Sequence, residues 1–343
     1  MHVTTLIPAL TAQARLRARH SEGCACSEPH AVLADRTDAT VVRHAQVVAK
    51  AHAPGTPEPA LTARLAAAAH PGLADTLLAP LSARPTRLHD RLVTFWPYGA
   101  PVDRDDPDAA PWEAAATLLA RLHRTPLARL PRPLPPMRGP EKAARAVARL
   151  RAAAPHPAAS PVERAWAVLP AWARDEAPCP GPSYLCHGDL HLGQLVRTPP
   201  DPRLGHLGHL VPAHPDPRSG RPGSAPADRW RLIDVDDLGT GDPAWDLARP
   251  AAWYACGLLL PQEWTRFLNA YRAAGGPAVP ADGADPWPVL DVPARALTVQ
   301  TAALATAKAV AAGRALDEVE ETFVDACRRM AAVPPDLAPT CTK

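Results

Sequence analysis

Apolar positions in the first hundred residues alternate over short runs, the period of a strand with one face covered. Ala31–Ala34, Thr40–His44 and Gln46–His52 each read as a strand, with Asp35–Asp38 as the turn between the first two. Two more strands with a turn between them are expected over 76–99, ending in Leu92-Val93-Thr94-Phe95-Trp96-Pro97-Tyr98-Gly99. A helix over Leu61–Ala69 interrupts the strands, and a short one over Leu10–Arg19 precedes them. Past about residue 110 the period lengthens. Trp112–His123 places Leu118, Leu119 and Leu122 on one helical face. Helices are expected over Glu141–Ala153, Val162–Ala173, Pro243–Leu260 and Glu263–Ala273. Pro293–Met330 reads as one or two long helices interrupted by the acidic run Asp317–Glu321. Ser21–Pro29, Asp106–Ala110, Pro126–Pro140, Thr198–Asp228 and Pro277–Trp287 carry the proline, glycine and polar residues of loops.

Strands followed by helices point to an α+β chain, and 343 residues suffice for two subdomains. The composition adds mostly exclusions. A formal charge of +2 from 37 Lys+Arg against 35 Asp+Glu gives no bias toward nucleic acid or membrane surfaces. Forty-four prolines and abundant Ala and Arg fit a GC-rich coding bias rather than disorder, because 47% hydrophobic residues can build a core. Seven scattered cysteines argue for a reducing compartment, and Cys24-Ala25-Cys26 has no second ligand pair at metal spacing. No basic stretch followed by an apolar one opens the chain, and apolar runs such as Ala251–Leu260 fall short of a bilayer span. The expectation is a soluble cytoplasmic protein. His206, His209 and His214 lie in the Pro/Gly/Arg-rich stretch after Thr198, without the pattern of a ligand set.

The chemistry concentrates in two places. In Tyr184-Leu185-Cys186-His187-Gly188-Asp189-Leu190-His191-Leu192-Gly193-Gln194-Leu195-Val196 an apolar lead-in delivers His-Gly-Asp, and a side-chain amide follows five residues after the aspartate. That is the spacing of a kinase catalytic loop, H-x-D-x-x-x-x-N, with Gln194 in the place of Asn. Gln keeps the amide carbonyl and adds one methylene. In Trp230–Asp237 an apolar strand delivers Asp234 at its end, where a carboxylate can hold Mg²⁺ against phosphates. Asp189 would accept or orient the proton of an attacking hydroxyl.

Together with Gly241-Asp242-Pro243-Ala244-Trp245-Asp246-Leu247-Ala248, these stretches resemble the aminoglycoside phosphotransferase family, most strongly over 184–250. The resemblance implies a two-lobed, protein-kinase-like α+β fold. A small antiparallel sheet would cover the nucleotide over residues 1–97, and a mainly helical lobe over 98–343 would carry the catalytic loop, metal site and acceptor pocket. It also implies ATP and Mg²⁺ as cofactors, with Gln194 and Asp234 as metal ligands. Lys50 on the third strand would be the lysine that pairs with the nucleotide phosphates, although the same position suits a snorkelling surface lysine. Glu58, the sole acidic residue between Lys50 and Asp75, would be its partner. The stretch of Phe95, Trp96 and Tyr98 would be the hinge that binds adenine, a place where plain core residues fit too. No glycine lies between Gly23 and Gly55, so no Gly-rich loop precedes Lys50, and a turn near Thr37–Thr40 would cover the nucleotide instead. Asp242 and Asp246 would cap or tie the catalytic loop, and His187 and His191 would order it.

Leu192 and Gln194, with Ile233–Gly239 and Asp242–Asp246, look most like the maltokinase-related branch and its bacterial glucosamine kinases. That implies a small-molecule sugar as partner. The carboxylates of Asp236, Asp237, Asp317 or Glu318 would meet its ammonium, with His191 beside the acceptor and Trp245 or Trp253 stacking on the sugar. Maltose, an aminoglycoside, and a non-catalytic nucleotide-binding scaffold stand as alternatives. A hydrolase built on the aspartate cluster is disfavoured, since its metals usually call for several histidine ligands.

Overall fold

The computed structural model describes residues 3–20, 31–198 and 229–332. The Cys24–Cys26 pair and His206, His209 and His214 fall outside them. The chain divides into two compact units, Met1–Ala110 with Gly193–Ile233, and Pro111–Leu192 with Asp234–Lys343.

The first unit is built on a five-stranded antiparallel sheet in the order β1-β2-β3-β5-β4. Its strands are β1 (Ala31–Asp35), β2 (Ala39–His44), β3 (Val47–His52), β4 (Thr86–Leu88) and β5 (Arg91–Pro97). Alternation along β3 sends Val47, Ala49 and Ala51 into a core with Val42, Val93 and Phe95, covered by Leu10 and Ala14 of helix α1 (Val3–Arg17). Lys50 emerges on the opposite face, in register with Val41 and Thr94. Helix α2 (Glu58–Ala68) follows β3 and starts with Pro59 in its first turn, where a missing N–H costs nothing.

The division differs from a cut at 97/98, for a reason visible in the strand pairing. Strands β8 (Leu195–Thr198) and β9 (Arg229–Leu232) pair with each other and, through β8, with β6 (Ala100–Pro101). Leu232 also exchanges backbone bonds with Thr76 and Leu78, both at 2.9 Å. The hairpin after the catalytic loop therefore groups with the first unit.

The second unit is helical around one short ribbon, β7 (Tyr184–Cys186) against β10 (Gly239–Gly241). Its helices are α3 (Trp112–His123), α4 (Gly139–Arg151), α5 (Ala159–Ala167), α6 (Ala244–Ala255), α7 (Pro261–Ala273), α8 (Trp287–Ala312) and α9 (Glu318–Ala332). Helix α8 packs against α4, α5, α6 and α9. It is buried over most of its length through small residues such as Ala296, Ala302 and Ala303, which allow close helix approach.

Several boundaries move for local reasons. Helix α5 ends before Pro170, whose ring and missing N–H stop it short of Ala173. Helix α6 ends at Ala255 because Gly257 turns the chain at φ +75° and Pro261 then opens α7. The acidic run 317–321 opens α9 instead of interrupting a helix, placing negative charge at the positive end of its dipole.

Candidate active site

Strand β7 runs straight into the His-Gly-Asp turn. Gly188 adopts φ +84°, and a Cβ there would stand 2.4 Å from the carbonyl oxygen of Asp237, so the turn is open to glycine alone. The loop backbone is held from α6. Asp246 accepts the amides of His187 at 2.6 Å and Gly188 at 2.7 Å, and its Oδ2 lies 2.9 Å from Nε2 of His123. Nδ1 of His123 is 2.7 Å from the Tyr271 hydroxyl, which accepts the Ala278 amide at 3.1 Å. The consistent assignment has Tyr271 donating to Nδ1 and the Nε2–H donating to Asp246. Asp242 caps α6 by accepting the Ala244 amide at 2.9 Å.

His123, Cys186 and Asp246 bring potential ligand atoms within 4.8 Å of one another, the spacing of a metal site. Both imidazole nitrogens are already committed, and burial raises the Cys186 pKa well above its ordinary value and keeps the thiol protonated. His123 and Asp246 belong to the hydrogen-bond network that anchors the loop, while the Cys186 thiol turns to the Tyr184 carbonyl at 3.6 Å. His123, expected as a simple helix-end residue, ends α3 but serves as a buried link from α7 to the loop.

Asp189 is held at both oxygens. Oδ1 accepts from a terminal nitrogen of Arg249 at 2.6 Å and Oδ2 from Nζ of Lys142 at 2.8 Å. Nε of Arg249 also donates to the Leu190 carbonyl at 3.1 Å. Lys142 continues to Oδ2 of Asp237 at 2.7 Å, and Arg138 faces the other Asp237 oxygen at 3.5 Å. Burial alone would raise the Asp189 pKa; the charges of Lys142 and Arg249 outweigh it and hold the carboxyl well below the usual range. Burial lowers and the two aspartates raise the Lys142 pKa, with a net rise. His191 has exposed surface, yet packing around its ring and the Arg249 charge push its pKa down to about 4. A small recess beside Asp189 is lined by Trp245, Arg249, Leu297 and Gln300.

The other expected residues are placed as follows. Lys50 is half-buried on β3. Glu58, in the first turn of α2, forms an ion pair with Arg87 on β4. Phe95 is packed under α1, Trp96 is buried and donates from Nε1 to Thr94 at 3.0 Å, and the Tyr98 ring lies 3.5 Å from the Arg43 guanidinium. Gln194 is buried in a 3₁₀ turn, and its carbonyl accepts the amide of Ile233, the residue before Asp234. Asp234 sits at φ +64°, a strained backbone for a non-glycine residue of the kind kept at functional sites. An amide oxygen and a carboxylate oxygen are hard donors that suit Mg²⁺. Asp236 and Asp237 share the turn after Asp234. Trp253, partly exposed on α6, tilts against Phe323, while Asp317 and Glu318 are exposed at the start of α9. There Asp317 and Glu320 close a reciprocal cap, at 2.9 and 3.0 Å.

Sequence reasoning missed Lys142, Arg249 and Arg138. A signal existed for the first. Among 37 Lys and Arg, lysine occurs at 50, 142, 308 and 343, so a lysine is an exception in this chain. For Arg249 the signal was its place three residues after Asp246, on the same face of α6.

No curated protein matches the chain. Solved structures do, at low identity and with shared fold. A choline/ethanolamine kinase family protein from Mesorhizobium loti aligns over 95% of this chain and 96% of its own, with TM-score 0.55 and 15% identity. Plasmodium vivax ethanolamine kinase aligns over 97% and 89%, with TM-score 0.52 and 12% identity. A thermostable mutant of aminoglycoside phosphotransferase APH(4)-Ia aligns over 90% and 96%, with TM-score 0.54 and 12% identity. The phosphotransferase enzyme family matches residues 31–205, half of the chain and inclusive of the His-Gly-Asp loop. The kinase-like α+β architecture agrees with it, and the chain belongs to this phosphotransferase enzyme family.

Proposed function

We propose that the protein transfers the γ-phosphoryl group of ATP to a hydroxyl of a small sugar, and that the sugar is glucosamine or a close amino sugar. The observation that carries the transfer is the Asp189 carboxylate, fixed at both oxygens on a loop whose backbone Asp246 holds. Gln194 and Asp234 are the residues that would hold Mg²⁺, which when bound neutralises charge on the phosphates.

Asp189 accepts the hydrogen bond of the acceptor hydroxyl and aims its oxygen at the phosphorus. Lys142 and Arg249 keep that carboxylate ionised and weakly basic, so it orients the nucleophile more than it strips the proton. That suits phosphoryl transfer through a loose transition state, where positioning and charge stabilisation dominate. The amino-sugar reading rests on the wording of Leu192–Gln194 and Ile233–Asp246. The cations beside Asp189 oppose an ammonium next to the reacting hydroxyl, so the amine belongs on a remote carbon. Asp236, in the turn directly after Asp234, is our choice for the ammonium.

A coupled ADP-release assay with Mg·ATP and glucosamine, glucose, maltose and kanamycin tests this. Turnover confined to glucosamine supports the amino-sugar reading. Turnover on maltose or kanamycin replaces the acceptor and keeps the reaction, and silence on all four favours a non-catalytic scaffold.

A further inference from the structure

Lys142 does more than a structural ion pair requires. Its Nζ lies 2.8 Å from Asp189 and 2.7 Å from Asp237, bridging the catalytic loop to the turn that follows Asp234. An ammonium has three N–H donors, and these two carboxylates take two of them. The side chain keeps about a quarter of its surface exposed (27%), as do Asp189 (23%) and Arg249 (25%), so the third donor stands in reach of a molecule at Asp189. Asp189 is met by two cations, Lys142 and Arg249, and Asp237 by Lys142 and Arg138, the last of which also donates to Glu141 at 3.1 Å. Lys142 reaches Asp189 at nearly the same distance as Asp237, so neutralising Asp237 does not by itself account for its position.

We propose that Lys142 is a catalytic residue whose free N–H binds a non-bridging oxygen of the phosphoryl group during transfer, while Arg249 is a positioning residue that fixes Asp189. This rests on the kinase reading above and assigns a role that reading leaves open. In the step, the acceptor oxygen forms a bond to the γ-phosphorus and the bond from that phosphorus to the β-phosphate oxygen breaks. The electron pair leaves with ADP, and the hydroxyl proton departs to water past Asp189. Charge is spread over the three equatorial oxygens of the phosphoryl group in flight, and Lys142 meets one of them without rearrangement.

The test is ADP release by wild type, Lys142→Met, Lys142→Ala, Lys142→Arg, Asp237→Asn and the double variant Lys142→Met/Asp237→Asn, with the acceptor panel and with water as acceptor. Lys142→Met should lose about 100-fold or more in kcat, the scale of removing one transition-state donor, with KM for ATP and acceptor within about threefold. The double variant should stay as slow as Lys142→Met, and ethylammonium added to Lys142→Ala should restore part of the rate saturably. Recovery of kcat in the double variant would show that Lys142 merely balances Asp237, and near wild-type kcat in Lys142→Met would overturn the proposal directly. Should Lys142→Met fail to fold, the double variant, which leaves no buried charge unpaired, and Lys142→Arg carry the comparison. A wild type that releases no ADP under any condition overturns the kinase reading and this inference together; an active wild type with indifferent variants overturns this inference alone.

Discussion

Arg249 donates to Oδ1 of Asp189 across 2.6 Å, and this contact fixes the orientation of the carboxylate at the centre of the site. The arginine also takes the Leu190 carbonyl, so one side chain grips both the aspartate and the backbone after it. Asp246 lies one helical turn earlier on α6 and holds the amides of His187 and Gly188. Two residues on one face of one helix thus set the His-Gly-Asp segment, backbone from one and side chain from the other.

Arg249→Ala should lower kcat by about 100-fold, the cost of letting a reacting group drift by roughly an ångström. The KM for ATP should stay nearly unchanged. Arg249→Lys should recover little, because an ammonium cannot reach Asp189 and the Leu190 carbonyl in the same fork. Steady-state kinetics of both variants decide it; equal kcat in the lysine variant would show that charge alone matters.

Asp246→Ala removes a buried carboxylate that serves two amides and His123. It should cost roughly 3–5 kcal/mol of stability, as expected when a buried hydrogen-bonded partner is deleted and its neighbours stay buried. Asp246→Asn retains one acceptor oxygen and should cost less. Urea unfolding of the three proteins gives the comparison. A loss under 1 kcal/mol in the alanine variant would mean that the loop does not depend on this anchor.

Much of this was legible beforehand, and the residues show why. The five-stranded sheet, with Lys50 on β3, follows from alternation, and α3 from the leucine period within Trp112–His123. Order and spacing within the two stretches 184–196 and 230–237 are what made Asp189, Gln194 and Asp234 candidates. The tie from Asp246 was expected from its motif. Lys142 and Arg138 were not, because α4 lies roughly fifty residues from the loop and the packing of α4 that brings them to Asp189 and Asp237 leaves no local pattern. Glu58 was chosen by elimination among acidic residues, and the structure shows it paired with Arg87, an arginine too distant in sequence to weigh.

The pH dependence should carry the same signature. The Asp189 pKa is depressed in the folded protein, so its ion pairs stabilise the fold above the ordinary carboxylate value of about 3.9. That contribution is lost as pH falls through the folded value. Between pH 8 and 5 kcat should therefore show no decline from protonation of Asp189. Removing one cation in Arg249→Ala should move the acid limb of the kcat profile to higher pH. A titration near pH 4 reports His191 and should vanish in His191→Gln. Identical profiles for wild type and Arg249→Ala would remove the electrostatic role given to the arginine.

The decisive variants are at Asp189. Asp189→Ala leaves Lys142 and Arg249 in place without their shared carboxylate, so the local charge becomes more positive. Loss of transfer should be at least about 1,000-fold, within the range that a positioned acid–base group contributes. Binding of ATP should be near normal, since the change removes no group assigned to the nucleotide, and the added positive charge opposes no phosphate. Asp189→Asn keeps the shape and one acceptor oxygen but offers an N–H₂ toward one of the two cations, so it should be no better than alanine in kcat. Asp234→Ala provides the contrast: it should lose Mg²⁺-dependent nucleotide binding while leaving the Lys142–Asp189–Arg249 cluster intact. Calorimetric titration of Mg·ATP into each variant, beside the ADP-release rate, separates the two roles. Activity retained in Asp189→Ala would withdraw the catalytic assignment from this loop, and tight metal-dependent binding in Asp234→Ala would move the metal elsewhere.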